Sequence, residues 1–196
     1  MIRIACLGMV GLLWAQYELE GPMRVGPDSA QKTLYVRLRL SPYGLHYWIW
    51  GQGGPLSRWE MLLTPHRLWI LDSAEKVAYF LPLTRTPAPP EPFLLRAEAG
   101  VWELRADTLR QVVVWDTTAP FSWEPWLPYL EGDRLGLAAR YFRQGLPRRI
   151  EEYGPTGQLQ WRWLVQKSTF FSSAPADSLP PARYRQLPWE VKPQQK

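Results

Sequence analysis

Apolar and polar residues alternate with period two through much of this chain. Lys32–Leu40 (KTLYVRLRL) puts Leu34, Val36, Leu38 and Leu40 on one side and Thr33, Tyr35, Arg37 and Arg39 on the other. That is the pattern of a strand with one buried face. Ser41-Pro42-Tyr43-Gly44 turns the chain, and Leu45–Trp50 runs back. Gly51–Pro55, Thr64-Pro65-His66 and Asp72–Glu75 then punctuate strands at Ser57–Leu63, Arg67–Leu71 and Lys76–Pro82. Consecutive strands with short connections predict an antiparallel meander.

The same period runs outward from this meander. Tyr17–Val25 alternates around Pro22, which lacks a ladder donor and predicts an edge strand or a bulge. Leu94–Ala106 and Leu109–Asp116 predict a hairpin turning near Asp107-Thr108. Pro147–Tyr153 and Gln158–Ser168 predict another, around Gly154-Pro155-Thr156-Gly157. Thr84–Pro92, with four prolines in nine residues, should run extended over the surface. Thr117–Gly132 is an irregular loop rich in tryptophan and proline. The period changes once. In Asp133–Gln144, Leu135, Ala138, Ala139 and Phe142 share a helical face, with Asp133 as N-cap and Gly145 at the C-terminal cap.

The first fifteen residues differ in kind. Arg3 precedes an apolar core, Ile4–Trp14, and Ala15 suits cleavage before Gln16, the layout of a signal peptide. The core is too short to span a bilayer, which takes about 20 residues. Cys6 is the only cysteine, so a chain cleaved at Ala15/Gln16 has no disulfide, thiol chemistry or cysteine-bound metal. The organisation expected is residues 1–15 as signal peptide, 16–171 as one β domain, and 172–196 as a proline-rich tail, loose after Trp189. The net charge of +5 is spread among interleaved acids, with no basic stripe for nucleic acid.

Catalytic patterns are sparse. His46 and His66 lack ligand spacing, no GxSxG occurs, and Gly51–Gly54 joins strands instead of opening a helix. No metal or cofactor is expected. The carboxylates open to an enzymatic pairing are Glu60, Asp72, Glu98, Glu103 and Asp116, each more simply a solvated strand-face or turn residue. The unusual feature is twelve tryptophans. Leu45–Trp50 is apolar or aromatic on both faces, so both must be covered, or one must line an apolar cavity.

The order of elements resembles the LolA-like lipoprotein-carrier superfamily and its exported relatives. The resemblance rests on the meander, on the hairpin Leu68–Leu71/Asp72–Lys76/Val77–Leu81, and on a short helix leading into Gly145-Leu146-Pro147-Arg148-Arg149-Ile150-Glu151. It covers Tyr17–Phe171. Where some relatives carry a cysteine, this chain reads Gly100-Val101-Trp102-Glu103. The resemblance implies a mostly β fold: an antiparallel curved sheet, or half-barrel, around one short helix, with acyl chains on its concave face. The function expected is non-enzymatic binding or carriage of a lipid, lipoprotein or other apolar ligand in the periplasm or outside the cell. Lipoprotein acyl chains and outer-membrane or envelope proteins are the expected partners of a monomer. The expected lining is Leu34, Val36, Leu38, Tyr47, Ile49, Trp59, Met61, Leu68, Ile70, Tyr79, Trp161 and Trp163. Trp123, Trp126, Leu135 and Phe142 are expected to act as a lid. The alternative is a carbohydrate-binding or envelope-structural module whose exposed tryptophans stack on sugars or on a protein.

Overall fold

The computed structural model describes residues 16–27, 32–41, 44–51, 59–64, 67–82, 92–127, 130, 135–171 and 184–189. The expected signal peptide with Cys6, the turn at Gln52–Pro55, His66, the proline segment up to 91, Asp133, and the tail over 172–183 and 190–196 lie outside them.

Strands β1 (Gln16–Val25), β2 (Lys32–Ser41), β3 (Gly44–Gly51), β4 (Trp59–Leu63), β5 (Arg67–Asp72) and β6 (Val77–Pro82) form the first meander. A second comprises β7 (Phe93–Glu98), β8 (Val101–Ala106), β9 (Leu109–Asp116), β10 (Leu146–Tyr153) and β11 (Leu159–Leu164). Between β9 and β10 lies the single helix among the described residues, α1 (Gly136–Phe142). Strands β12 (Lys167–Phe171) and β13 (Arg185–Pro188) complete one sheet, ordered β13-β6-β5-β4-β3-β2-β1-β11-β10-β9-β8-β7, with β12 also on β1. All pairings are antiparallel except β13 on β6.

The sheet is curved and unclosed. Leu45 of β3 and Leu104 of β8 belong to one buried cluster although five strands lie between them in the sheet. A flat sheet would hold them about 29 Å apart at ~4.8 Å per strand. The cluster is continuous because the sheet curls around the segment joining β9 to β10, whose Phe121, Trp123, Trp126, Leu130, Leu135 and Leu137 fill the concavity. The expected architecture, a mostly antiparallel half-barrel around one short helix, is the one observed.

Several boundaries differ from those expected. Leu94–Ala106 is two strands: Ala99 (φ 48°) and Gly100 (φ 77°) make a tight turn between β7 and β8. Positive φ at both central residues defines the hairpin turn that matches strand twist. Gln158–Ser168 also breaks in two, because Val165 N–H donates to Arg148 O (3.0 Å) and Gln166 N–H to Glu20 O (2.8 Å). The helix is shorter than Asp133–Gln144. It starts after Leu135 without a side-chain cap, and its left-handed C-terminal residue is Arg143 (φ 56°) instead of Gly145.

Pro22 is not on an edge strand. β1 pairs β2 along its length, while its other side pairs β12 over residues 16–20 and β11 over 23–25. Pro22 lies opposite the gap between β11 and β12, where its missing donor breaks no continuous ladder. Gly21 beside it is equally constrained, since a Cβ there would sit 1.7 Å from Leu164 O. The C-terminal segment returns to the sheet as β13, with Arg185 N–H on Lys76 O and Trp189 N–H on Phe80 O.

Candidate functional site

Register decides which side chains share the concave face. Leu38, Tyr47, Met61, Ile70 and Tyr79 stand opposite one another in a row across β2 to β6. Val36, Ile49 and Trp59 make the next row. Leu68 belongs to the row of Leu40, Leu45 and Leu63, and Leu34 pairs Met23 opposite Trp163, with Trp161 opposite Val25. Strand alternation thus brings all twelve expected lining residues to one face. Their exposure differs. Val36, Leu38, Trp161 and Trp163 are buried, and Leu34, Tyr47, Ile49, Met61, Leu68, Ile70 and Tyr79 are half-buried. Trp59 is 58% exposed.

The four aromatic and aliphatic residues expected as a lid lie inside the curl. Trp123 is wholly buried and donates from Nε1 to Gly145 O (2.8 Å); Trp126 Nε1 donates to Ser41 O at the end of β2 (2.9 Å). Phe142 stacks on Trp115 (4.9 Å, 12°), whose Nε1 donates to Gln144 O (2.7 Å). Leu135 is buried with them. The segment therefore packs one end of the concave face, around Tyr17, Leu40, Leu45 and Leu63. The rows through Tyr47, Met61 and Trp59 continue beyond it.

Two polar groups interrupt the apolar wall. Leu104, Gln111, Glu152 and Trp161 stand in one cross-strand row, and buried Gln111 donates from Nε2 to Glu152 Oε2 (3.3 Å). The alternation of Leu109, Gln111, Val113 and Trp115 carried the signal for Gln111.

The convex face is different in character. Arg39 and Arg37 pair Glu18 and Glu20 between β2 and β1 (2.9 and 3.1 Å), and Arg162 pairs Glu151 (2.7 Å). Further along, His46 stacks on Trp48 (3.8 Å) beneath Arg39, and Trp69, Leu62, Leu71 and Ala78 form a small cluster covered by Phe80 and Tyr184. Both apolar faces of β3 are thus covered at least in part, the inner by the core and the outer by Arg39 over Trp48 and Arg37 over Trp50.

Each carboxylate weighed for catalysis has its own partner. Asp72 Oδ1 accepts from Ala74 and Glu75 N–H, Glu98 pairs Arg96, and the Glu103 carboxyl is lowered chiefly by its hydrogen bond from Arg110. Asp116 is held at about 2 by Thr118 and then by Arg148. Glu60 accepts from His46 Nε2 (2.8 Å) and from Ser73 Oγ (3.2 Å). Here the carboxylate stands between histidine and serine, so the histidine is not placed to take the serine proton, as a hydrolase requires. No cluster of three metal-ligating residues occurs among the described residues.

No family model and no curated protein matches this chain. Solved structures similar to it include an uncharacterized conserved protein from Thermus thermophilus, at 11% identity over 92% of this chain and 93% of that one, TM-score 0.48. A putative outer membrane lipoprotein-sorting protein domain from Vibrio parahaemolyticus is 12% identical over 84% and 88%, TM-score 0.38. A LolA superfamily protein from Nitrosomonas europaea is 12% identical over 79% and 85%, TM-score 0.39.

Proposed function

We propose that this protein is a non-enzymatic binder or carrier of an apolar ligand, a lipid or the acyl chains of a lipoprotein, exported by its first fifteen residues to the cell envelope. It acts there as a monomer that meets envelope or outer-membrane proteins. The observation that carries this reading is the pair of incompletely buried rows, Tyr47–Met61–Ile70–Tyr79 and Ile49 with exposed Trp59, beside the packed end of the concave face. Such a surface is apolar, concave and continuous with the core, and covering it gains about 25 cal/mol per Å2 removed from water. The ligand would lie along these rows against Trp59, while the Trp123–Phe142 segment forms the fixed floor at one end. Tyr35 lies on the convex face, stacked on Trp50, and Trp59 on the concave face, so these two exposed aromatics do not share one platform for a sugar.

The test is to express the chain with its own leader, isolate the mature protein gently, and extract it with organic solvent for mass spectrometry. Lipid or lipopeptide at near-equal molar amount is expected, with Trp59→Ala retaining markedly less. An empty but folded protein sinks this reading and turns attention to sugar arrays and pull-downs.

A further inference from the structure

We propose that a cavity at the start of β1, apart from the concave rows, binds a small amphiphile with an anionic head. The cavity has a volume of about 350 Å3, and Tyr17, Leu146, Arg148, Ser168, Thr169 and Phe170 contribute to its lining. That volume lies at the lower end of the range for small-molecule sites, enough for a body of about ten heavy atoms. It is separate from the rows proposed above. Tyr17 shares its row with Leu40, Leu45 and Leu63, and the Phe121 ring packs on it at 4.7 Å, so the aromatic segment stands between the two places.

Two features select the ligand. Phe170 is 55% exposed although its ring sits 5.0 Å from that of Tyr17, which leaves an aromatic platform open beside the cavity. Among the described residues, Arg148 is the only charged one in the lining, and about half of its side chain is exposed. It donates from Nη2 to Asp116 Oδ2 (2.7 Å), one of five guanidinium N–H groups. A carboxylate, sulfonate or phosphate at the cavity mouth would meet that cation, with its apolar body on Tyr17 and Phe170. A cationic head would meet Arg148, because Asp116, its partner in the ion pair, does not line the cavity.

The experiment is calorimetric titration of the mature protein at pH 7 with octanoate, octan-1-ol and octylammonium. Octanoate should bind about tenfold more tightly than octylammonium, as charge-assisted hydrogen bonds require. Arg148→Gln should abolish that preference while leaving octan-1-ol unchanged, and Arg148→Lys should keep part of it. Phe170→Ala, at an exposed position, should weaken all three probes. Failure of all three probes to bind the parent protein overturns the proposal, as does octylammonium equalling octanoate or an undiminished preference in Arg148→Gln. Trp59→Ala separates the two sites. If it removes octanoate binding and Phe170→Ala does not, the probe occupies the concave rows, and this inference fails while the proposed function stands. An empty protein on lipid extraction that still prefers octanoate fails the proposed function alone.

Discussion

Asp116 ends β9 with its carboxylate held by three donors: Thr118 Oγ1 (2.6 Å), Thr118 N–H (3.0 Å) and Arg148 Nη2 (2.7 Å). The Thr118 hydroxyl, then Arg148, lowers its pKa from 3.8 to about 2. Because the folded chain favours the charged form, this group contributes stability that is complete above its unfolded value. That contribution is lost as pH falls from about 4 through 2. Water reaches the pair, so its worth at neutral pH is about 1 kcal/mol, less than the shift alone converts to. Asp116→Asn should lower the urea midpoint at pH 7, and its gap from the parent protein should close between pH 4 and pH 2. A gap that stays constant across that window would show that the carboxylate's charge contributes nothing there. The variant also frees Arg148, so its octanoate binding should be at least as tight as that of the parent.

At the scale of elements, the β7–β8 turn is where local sequence and structure disagree most. Ala99 holds φ 48° with no side chain able to bond its own backbone. A left-handed alanine costs about 1–2 kcal/mol. Ala99→Asn would supply the Asn-Gly pair such turns favour and should raise stability by about 1 kcal/mol, read as a higher thermal midpoint. No rise, or a fall, would mean that the two strands are not joined by that turn. The same mismatch explains why the hairpin was illegible: Glu98-Ala99-Gly100 lacks a turn signature, and β7 is exposed throughout, so no buried face marks where it ends. The first meander was legible because β1 and β2 alternate apolar and polar residues and its turns carry proline, glycine or aspartate. The α1 boundary was not, since its start lacks a capping side chain and its end uses a left-handed arginine. In the candidate site, period two and the register place the twelve expected lining residues on one face of the sheet. Period two could not say that Trp161 and Trp163 would be buried or Trp59 exposed, because that depends on where the segment between β9 and β10 packs. The Tyr17–Arg148–Phe170 cavity had no sequence signal, as its members lie on β1, β10 and β12, brought together only by the break at Val165–Gln166.

That break is also what makes one molecule of two meanders. β1 is the junction: β2 covers one side, and β11 and β12 divide the other at Gly21 and Pro22. Gln166 N–H reaches Glu20 O, and the Leu164 carbonyl passes so close to Gly21 that a side chain cannot fit. Gly21→Ala must therefore push β11 away from β1, and the neighbouring atom is backbone, which yields only by moving the strand. The loss should be at least about 2–3 kcal/mol. Its effect should extend beyond stability, because β1 is the strand through which the sheet ladder joins the two halves of the buried cluster running from β3 to β8. Urea unfolding followed by tryptophan fluorescence and by backbone circular dichroism should give coincident transitions for the parent protein and separated ones for Gly21→Ala. Amide exchange should show β8–β10 losing protection before β2–β5. If the variant instead unfolds in one coincident step at the parent midpoint, then β1 does not couple the halves, and the curled sheet is held by the aromatic segment in its concavity.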